Sequence, residues 1–88
     1  MSEKETLLEF PCQFPIKAMG RAHEDFEAQV VSLVRKHVPD LGEAAVKCRD
    51  SQGGKYLSVT ITVTATSREQ LDNIYRELTA CEEVLMAL

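Results

Sequence analysis

The segment from Tyr56 to Ala65 constrains this chain more than any other. Leu57, Val59, Ile61, Val63 and Ala65 alternate without a break with Tyr56, Ser58, Thr60, Thr62 and Thr64. Apolar residues set against hydroxyls at a period of two describe a strand with one buried face and one open face. A chain built around such a strand needs an apolar layer on one side only, and the remaining sequence shows what supplies it.

Two stretches carry helical periodicity. From about His23 to His37, the residues Ala22, Phe26, Val30, Leu33, Val34 and His37 fall on one stripe, as an amphipathic helix requires. Glu24, Asp25 and Glu27 lie at its positive end and Arg35, Lys36 and His37 at its negative end. Val38-Pro39 stops it, because proline disfavours helical geometry in the residue before it. A second helix starts at Thr66 or Ser67, where Glu69 or Gln70 completes a capping box. Leu71, Ile74, Tyr75 and Leu78 form its apolar stripe, with Asp72 and Arg76 in the favourable i,i+4 order outside.

Three further strands are expected. Phe14, Ile16 and Ala18 alternate in the first, which tolerates Pro15 only near its start or on an unpaired side. Gly20 is expected to end it in a sharp turn. A second runs from Ala45 to Asp50 with Val46 and Cys48 inward, and Ser51-Gln52-Gly53-Gly54 reads as the tip of a hairpin needing positive φ. The last is Val84–Leu88, with Val84, Met86 and Leu88 expected inward.

The order β-α-β-β-α-β points to the α+β class and the ferredoxin-like arrangement, a four-stranded antiparallel sheet with two helices on one face. Right-handed crossovers place the first and third strands at its centre. Ordering a chain costs on the order of 1.5 kcal/mol per residue, so 88 residues, 44% of them hydrophobic, suffice for one core. The expectation is a single domain over residues 1–88, with residues 1–9 a flexible tail. A second domain or a deep active-site cavity has no material left to form it.

The net charge of −4 argues against general affinity for nucleic acid or an anionic membrane, both of which need clustered Lys and Arg. Cys12, Cys48 and Cys81 are odd in number and widely spaced, so they form no disulfide framework. With His23 and His37 also apart, no zinc-ligand spacing exists. The charged N-terminus lacks the apolar run of a signal peptide, and no stretch approaches the ~18 apolar residues of a membrane span. A cytoplasmic location follows by default.

The open sheet face is the candidate site. Its residues are Tyr56, Ser58, Thr60, Thr62 and Thr64, flanked by Lys17 and Met19, with Leu85 expected beside them. It reads either as a docking surface or as the solvated side of a one-sided sheet. RNA-recognition modules share the topology, but they stack bases on several aromatics, and this face offers Tyr56 alone. Small acylphosphatases share it too and use an arginine-bearing loop at a helix N-terminus. In Met19-Gly20-Arg21-Ala22 the glycine-rich phosphate loop is missing, and Glu24, Asp25 and Glu27 would repel an anion. His37 reads as a structural residue at a helix end, His23 has no identifiable catalytic partner, and Cys81 extends the second apolar stripe. No nucleophile, base and orienting group assemble. The expectation is a protein that is not an enzyme and holds no cofactor.

The segments Leu8-Glu9-Phe10-Pro11, Ile16-Lys17-Ala18-Met19-Gly20 and Gly54-Lys55-Tyr56-Leu57-Ser58-Val59-Thr60-Ile61 resemble the YbeD-like family of small bacterial proteins. So do the step from Ala65-Thr66 into Glu69-Gln70-Leu71 and the segment Val84–Leu88, with Ala87 where valine is expected. The similarity spans the chain from Leu7 onward. It implies a ferredoxin-like fold of the kind seen in ACT regulatory domains and a regulatory link to lipoate metabolism, since members often lie beside genes for lipoate attachment. It brings no catalytic residues, and the Asp-x-Pro-Gly type of ligand turn is missing after the first strand. Two function classes follow: a regulatory or adaptor protein working through protein contacts or self-association as a homodimer, and a metabolite sensor whose site forms at a subunit interface.

Overall fold

The computed structural model describes residues 9–88. Of the tail expected over residues 1–9, residues 1–8 lie outside the described part, and Glu9 is exposed and outside any helix or strand. The elements run β1 (Cys12–Arg21), α1 (Phe26–Arg35), a 3₁₀ turn (Glu43–Ala45), β2 (Val46–Asp50), a second 3₁₀ turn (Gln52–Gly54), β3 (Tyr56–Ala65), α2 (Arg68–Ala80) and β4 (Val84–Ala87). The antiparallel sheet has the strand order β2-β3-β1-β4. This is the ferredoxin-like topology, with the first and third strands central.

The core lies between the helices and one side of the sheet. Phe26, Val30 and Val34 from α1 and Leu71, Ile74 and Leu78 from α2 are buried against Ile16, Ala18, Val59, Ile61, Val63 and Ala65. Each large side chain removed from water in this way contributes ~1.5–3 kcal/mol. The hairpin tip takes positive φ at Gly53 and Gly54, a conformation that costs glycine nothing.

Side chains close the helix ends. Ser67 Oγ accepts the Gln70 backbone N–H at 3.1 Å, and Gln70 Oε1 accepts the Thr66 N–H at 2.8 Å. The reciprocal bond thus falls one residue before the cap. His23 Nδ1 accepts the Asp25 N–H at 3.2 Å, and the His23 ring packs edge-on to Phe26. An imidazole therefore serves the start of α1, which begins at Phe26 rather than at His23. On the outside of α2, Asp72 pairs with Arg68 at 3.7 Å, while Arg76 donates to Asn73. Both Arg68 and Arg76 can reach Asp72 by spacing; the structure selects the N-terminal one.

Three further expectations are corrected. Gly20 does not end β1, which continues to Arg21 with Gly20 opposite Leu57. A Cβ at Gly20 would run into the Glu83 carbonyl oxygen and come within 2.5 Å of the Phe26 ring. Close packing, not a turn, requires this glycine.

Cys48 falls on the helix side of the sheet, opposite Val59, yet it is exposed. β2 is an edge strand, and the helical layer does not cover its outer margin. Partial burial of the sulfur, a hydrogen bond with Glu27 and the charges of Glu27 and Asp50 push the thiol pKa up to about 11.

The inward set of the last strand is also different. Ala18 faces Ala87 and Met19 faces Met86, but Gly20 faces Val84. Leu85 is therefore an extra residue, a bulge that reverses the side-chain alternation on either side of it. Val84 and Ala87 pack against the core, while Met86 and Leu88, expected inward, are 50% and 62% exposed.

Candidate functional site

Cross-strand partners share a face, so the register defines the open side of the sheet. Lys17 lies opposite Thr60, which lies opposite Lys47 on the other flank. Met19 lies opposite Ser58 on one side and Met86 on the other, and Ser58 in turn faces Arg49. Tyr56 is paired with Arg21, Thr62 with Pro15, and Thr64 with Gln13, whose Nε2 donates to Thr64 Oγ1 at 3.0 Å. All seven residues expected here (Lys17, Met19, Tyr56, Ser58, Thr60, Thr62 and Thr64) lie on this one face.

The end of β4 is held in place from two directions. Leu88 exchanges two backbone hydrogen bonds with Lys17, at 3.0 and 2.8 Å, and its oxygen also accepts the Tyr75 hydroxyl at 2.7 Å. Burial pushes the Tyr75 pKa up, so that hydroxyl keeps its proton. With its backbone fixed opposite Lys17, Leu88 directs its side chain to the open face beside Met86.

The face thus has a composition that the β3 hydroxyls alone do not convey. Lys47 and Arg49 line its β2 side, Lys17 and Arg21 its centre, and Met19, Met86 and Leu88 its β4 side. The strand residues contain one carboxylate, Asp50, and its pairing with Leu57 puts it in the helix-side set. Among the described residues, none of the four cations forms an ion pair. Sequence reasoning missed Lys47, Arg49, Met86 and Leu88. The first two were available, because they alternate with Val46 and Cys48; the last two were hidden by the bulge.

A shallow depression of about 210 Å³ occupies the hairpin end of this face, lined by Lys17, Met19, Arg49, Tyr56 and Ser58 and, where the sheet gives way to the hairpin tip, by Asp50, Ser51 and Leu57. On the opposite side of the molecule an open groove of about 760 Å³ runs between the helices, past Ala28, Leu33, Lys36, Glu77 and Cys81.

Lys36, His37 and Glu77 tie the end of α1 to α2. His37 Nε2–H donates to Glu77 Oε2 at 2.7 Å, and Lys36 Nζ approaches Glu77 Oε1 at 3.2 Å. These two hydrogen bonds, that from His37 first, hold the Glu77 carboxyl below the usual carboxylate range. Gln70 Nε2 donates to the His37 carbonyl at 2.9 Å, so His37 joins α1 to α2 at both ends. Cys12 and Cys81 are half-buried free thiols. Among the described residues no group of three or more His, Cys, Asp or Glu is placed to hold a metal ion, and no helix is long and apolar enough to cross a membrane.

The fold and nearly the whole length of the chain have known counterparts. The solution structure of protein HP0495 from H. pylori superposes with a TM-score of 0.70 over 92% of this chain and 85% of its own, at 12% identity. That likeness concerns the fold alone. A UPF0250 protein of Chromobacterium violaceum is 52% identical over 86 residues, covering 98% of this chain and 97% of the relative. A UPF0250 protein of Paraburkholderia phytofirmans is 48% identical over 87 residues, 99% and 98% of the two chains. A family model described as "Protein of unknown function (DUF493)" matches residues 5–88. The chain belongs to this DUF493 family, the UPF0250 or YbeD-like small bacterial proteins.

Proposed function

We propose that the protein is a small non-catalytic regulatory or adaptor protein that docks a protein partner on the open face of its sheet. One observation carries this reading. The large apolar side chains most exposed in the described chain are Tyr56, Leu85, Met86 and Leu88, at 42%, 58%, 50% and 62%. Met86 and Leu88 are neighbours on the open face and Tyr56 lies on that face too, while the helices bury Phe26, Val30, Val34, Leu71, Ile74 and Leu78. Exposed apolar residues scattered singly need no explanation, whereas a contiguous group marks an interaction surface.

A metabolite sensor is the second reading. The depression beside Arg49 and Tyr56, about 210 Å³, is smaller than the ~300–1,000 Å³ of ordinary ligand pockets. On the sheet face that volume favours a protein partner, and a sensor using this face would need a second subunit to complete its site. The resemblance to YbeD-like proteins makes proteins of lipoate attachment the first partners to try.

The test uses a neutral pair of substitutions, Met86→Ser with Leu88→Ser, in the tagged full-length protein. Both side chains are exposed, so the urea midpoint should stay near wild type while the protein captured by wild type is lost. A helix-side control, Ala28→Ser with Thr79→Ser, should retain it. Capture kept by the first pair and lost by the control would move the interface to the interhelical groove.

A further inference from the structure

The cations of the sheet are segregated. Among the described residues, Lys17, Arg21, Lys47 and Arg49 are the only Lys or Arg residues within the strands, and the register places all four on the open face. They sit there in a chain whose net charge is −4. The rest of the described chain carries the opposite net sign, twelve Asp and Glu against five Lys and Arg, with Glu24, Asp25 and Glu27 at the start of α1 and Glu82 and Glu83 before β4. Building on the docking function above, we infer that the partner is an acidic amphipathic protein segment: its carboxylates lie against Lys17, Lys47 and Arg49, and its apolar side chains against Met19, Met86 and Leu88.

Three physical arguments select this occupant. The first is geometric. Lys47, Thr60, Lys17 and Leu88 form one row across the sheet, and Arg49, Ser58, Met19 and Met86 form the next. Each row passes from a cation to an apolar residue over three strand spacings of ~4.8 Å, about 14 Å in all. A segment with carboxylates on one edge and apolar side chains on the other matches both ends of a row. Methionine adapts its shape to varied apolar partners, which suits docking of a segment.

The second argument excludes a second copy seated face to face. A two-fold interface brings the same patch from both subunits together. It would gather two sets of four cations in one interface with no strand carboxylate of that face to pair them, and unpaired like charge in an interface is costly. The third concerns nucleic acid, which also carries negative charge. Recognition of unpaired bases relies on aromatic stacking platforms, and this face has one aromatic, Tyr56, at its edge. The chain's overall charge also repels an extended polyanion, whereas a short acidic segment meets only the local field.

Size points the same way. Ten residues of β3 at ~3.3 Å each give about 33 Å of length, so the face measures about 450 Å². An extended segment of about ten residues laid along β3 spans this length.

Fluorescence anisotropy with three labelled probes tests the inference: a twelve-residue peptide of alternating Glu and Leu, a Glu-only peptide of equal charge, and an oligouridylate of equal charge. The Glu–Leu peptide should bind most tightly, about tenfold better than the Glu-only peptide, and weaken as salt rises from about 0.05 to about 0.5 M. Lys17→Gln with Arg49→Gln should cost about tenfold, in keeping with two exposed ion pairs lost. Circular dichroism of that variant should match wild type. Absence of Glu–Leu binding, equal binding by the variant, or tighter binding of oligouridylate would each overturn the inference. Loss of cellular partner capture by Met86→Ser with Leu88→Ser but not by Lys17→Gln with Arg49→Gln would overturn the acidic partner and leave the docking face standing.

Discussion

Met19 faces Met86 across β1 and β4, but one residue further on Gly20 faces Val84 rather than Leu85. That single slip decides which side chains of the last strand reach water. It gives the open face the Met86 and Leu88 side chains and leaves the core Val84 and Ala87. If so, Ala87→Asp should destabilise by more than ~1 kcal/mol, since it places a carboxylate against apolar neighbours. Met86→Lys should stay within about 0.5 kcal/mol, as surface changes do. Urea denaturation of both variants checks this, and the reverse ranking would mean that the bulge is misplaced.

The register of β3 makes a second paired prediction. Ile61 is fully buried and Thr60 is its open-face neighbour. Ile61→Ala should cost roughly 2–5 kcal/mol through lost burial and a residual cavity. Thr60→Ala should stay within about 1 kcal/mol, the span of strand propensity. Equal costs in denaturant melts would rule out a one-sided sheet.

Gly20→Ala should be costly although the added group is one methyl. Its Cβ has no space between the Glu83 carbonyl and the Phe26 ring, and overpacking of this kind costs about 1–3 kcal/mol. A variant as stable as wild type would show that the junction between β1, α1 and the start of β4 is loose.

Much of this architecture is legible in the sequence. The unbroken alternation of β3, the spacing of Phe26, Val30 and Val34, and the Ser67 cap each state a local rule that the tertiary fold also obeys. The missed features are those in which one residue type serves two roles. Val84–Leu88 is a continuous apolar run, so nothing in it marks Leu85 as the inserted residue. A glycine after a strand suggests a turn, and only the approach of Phe26 and Glu83 shows that Gly20 is needed for packing. Cys48 alternates correctly, but exposure at a sheet edge depends on how far α1 reaches across the sheet, which β2 does not encode. Of the candidate face, the hydroxyl row is legible and its positive charge is not, because the net charge of −4 averages over this face and the rest of the chain, which is of opposite sign.

The Glu77 carboxyl is held below the usual carboxylate range by His37 and Lys36. A depressed folded-state pKa contributes stability that is present above the unfolded value and lost as pH falls through the folded one. The stability gap between wild type and Glu77→Gln should therefore be present at neutral pH and shrink below about pH 4.3. Urea midpoints measured from neutral to about pH 3 read this directly. A gap that widens from about pH 5 to about pH 3, where the carboxylate is protonated, would contradict the ion-pair assignment.

Site-specific photocrosslinking tests the central claim most directly. A benzophenone side chain replaces Thr60 on the open face in one full-length variant and Ala28 on the helix side in another, each irradiated in living cells. The account predicts a discrete adduct from position 60, lost when Met86→Ser and Leu88→Ser are added, and none of comparable yield from position 28. Adducts from position 28 alone would place the partner in the interhelical groove and contradict docking on the sheet.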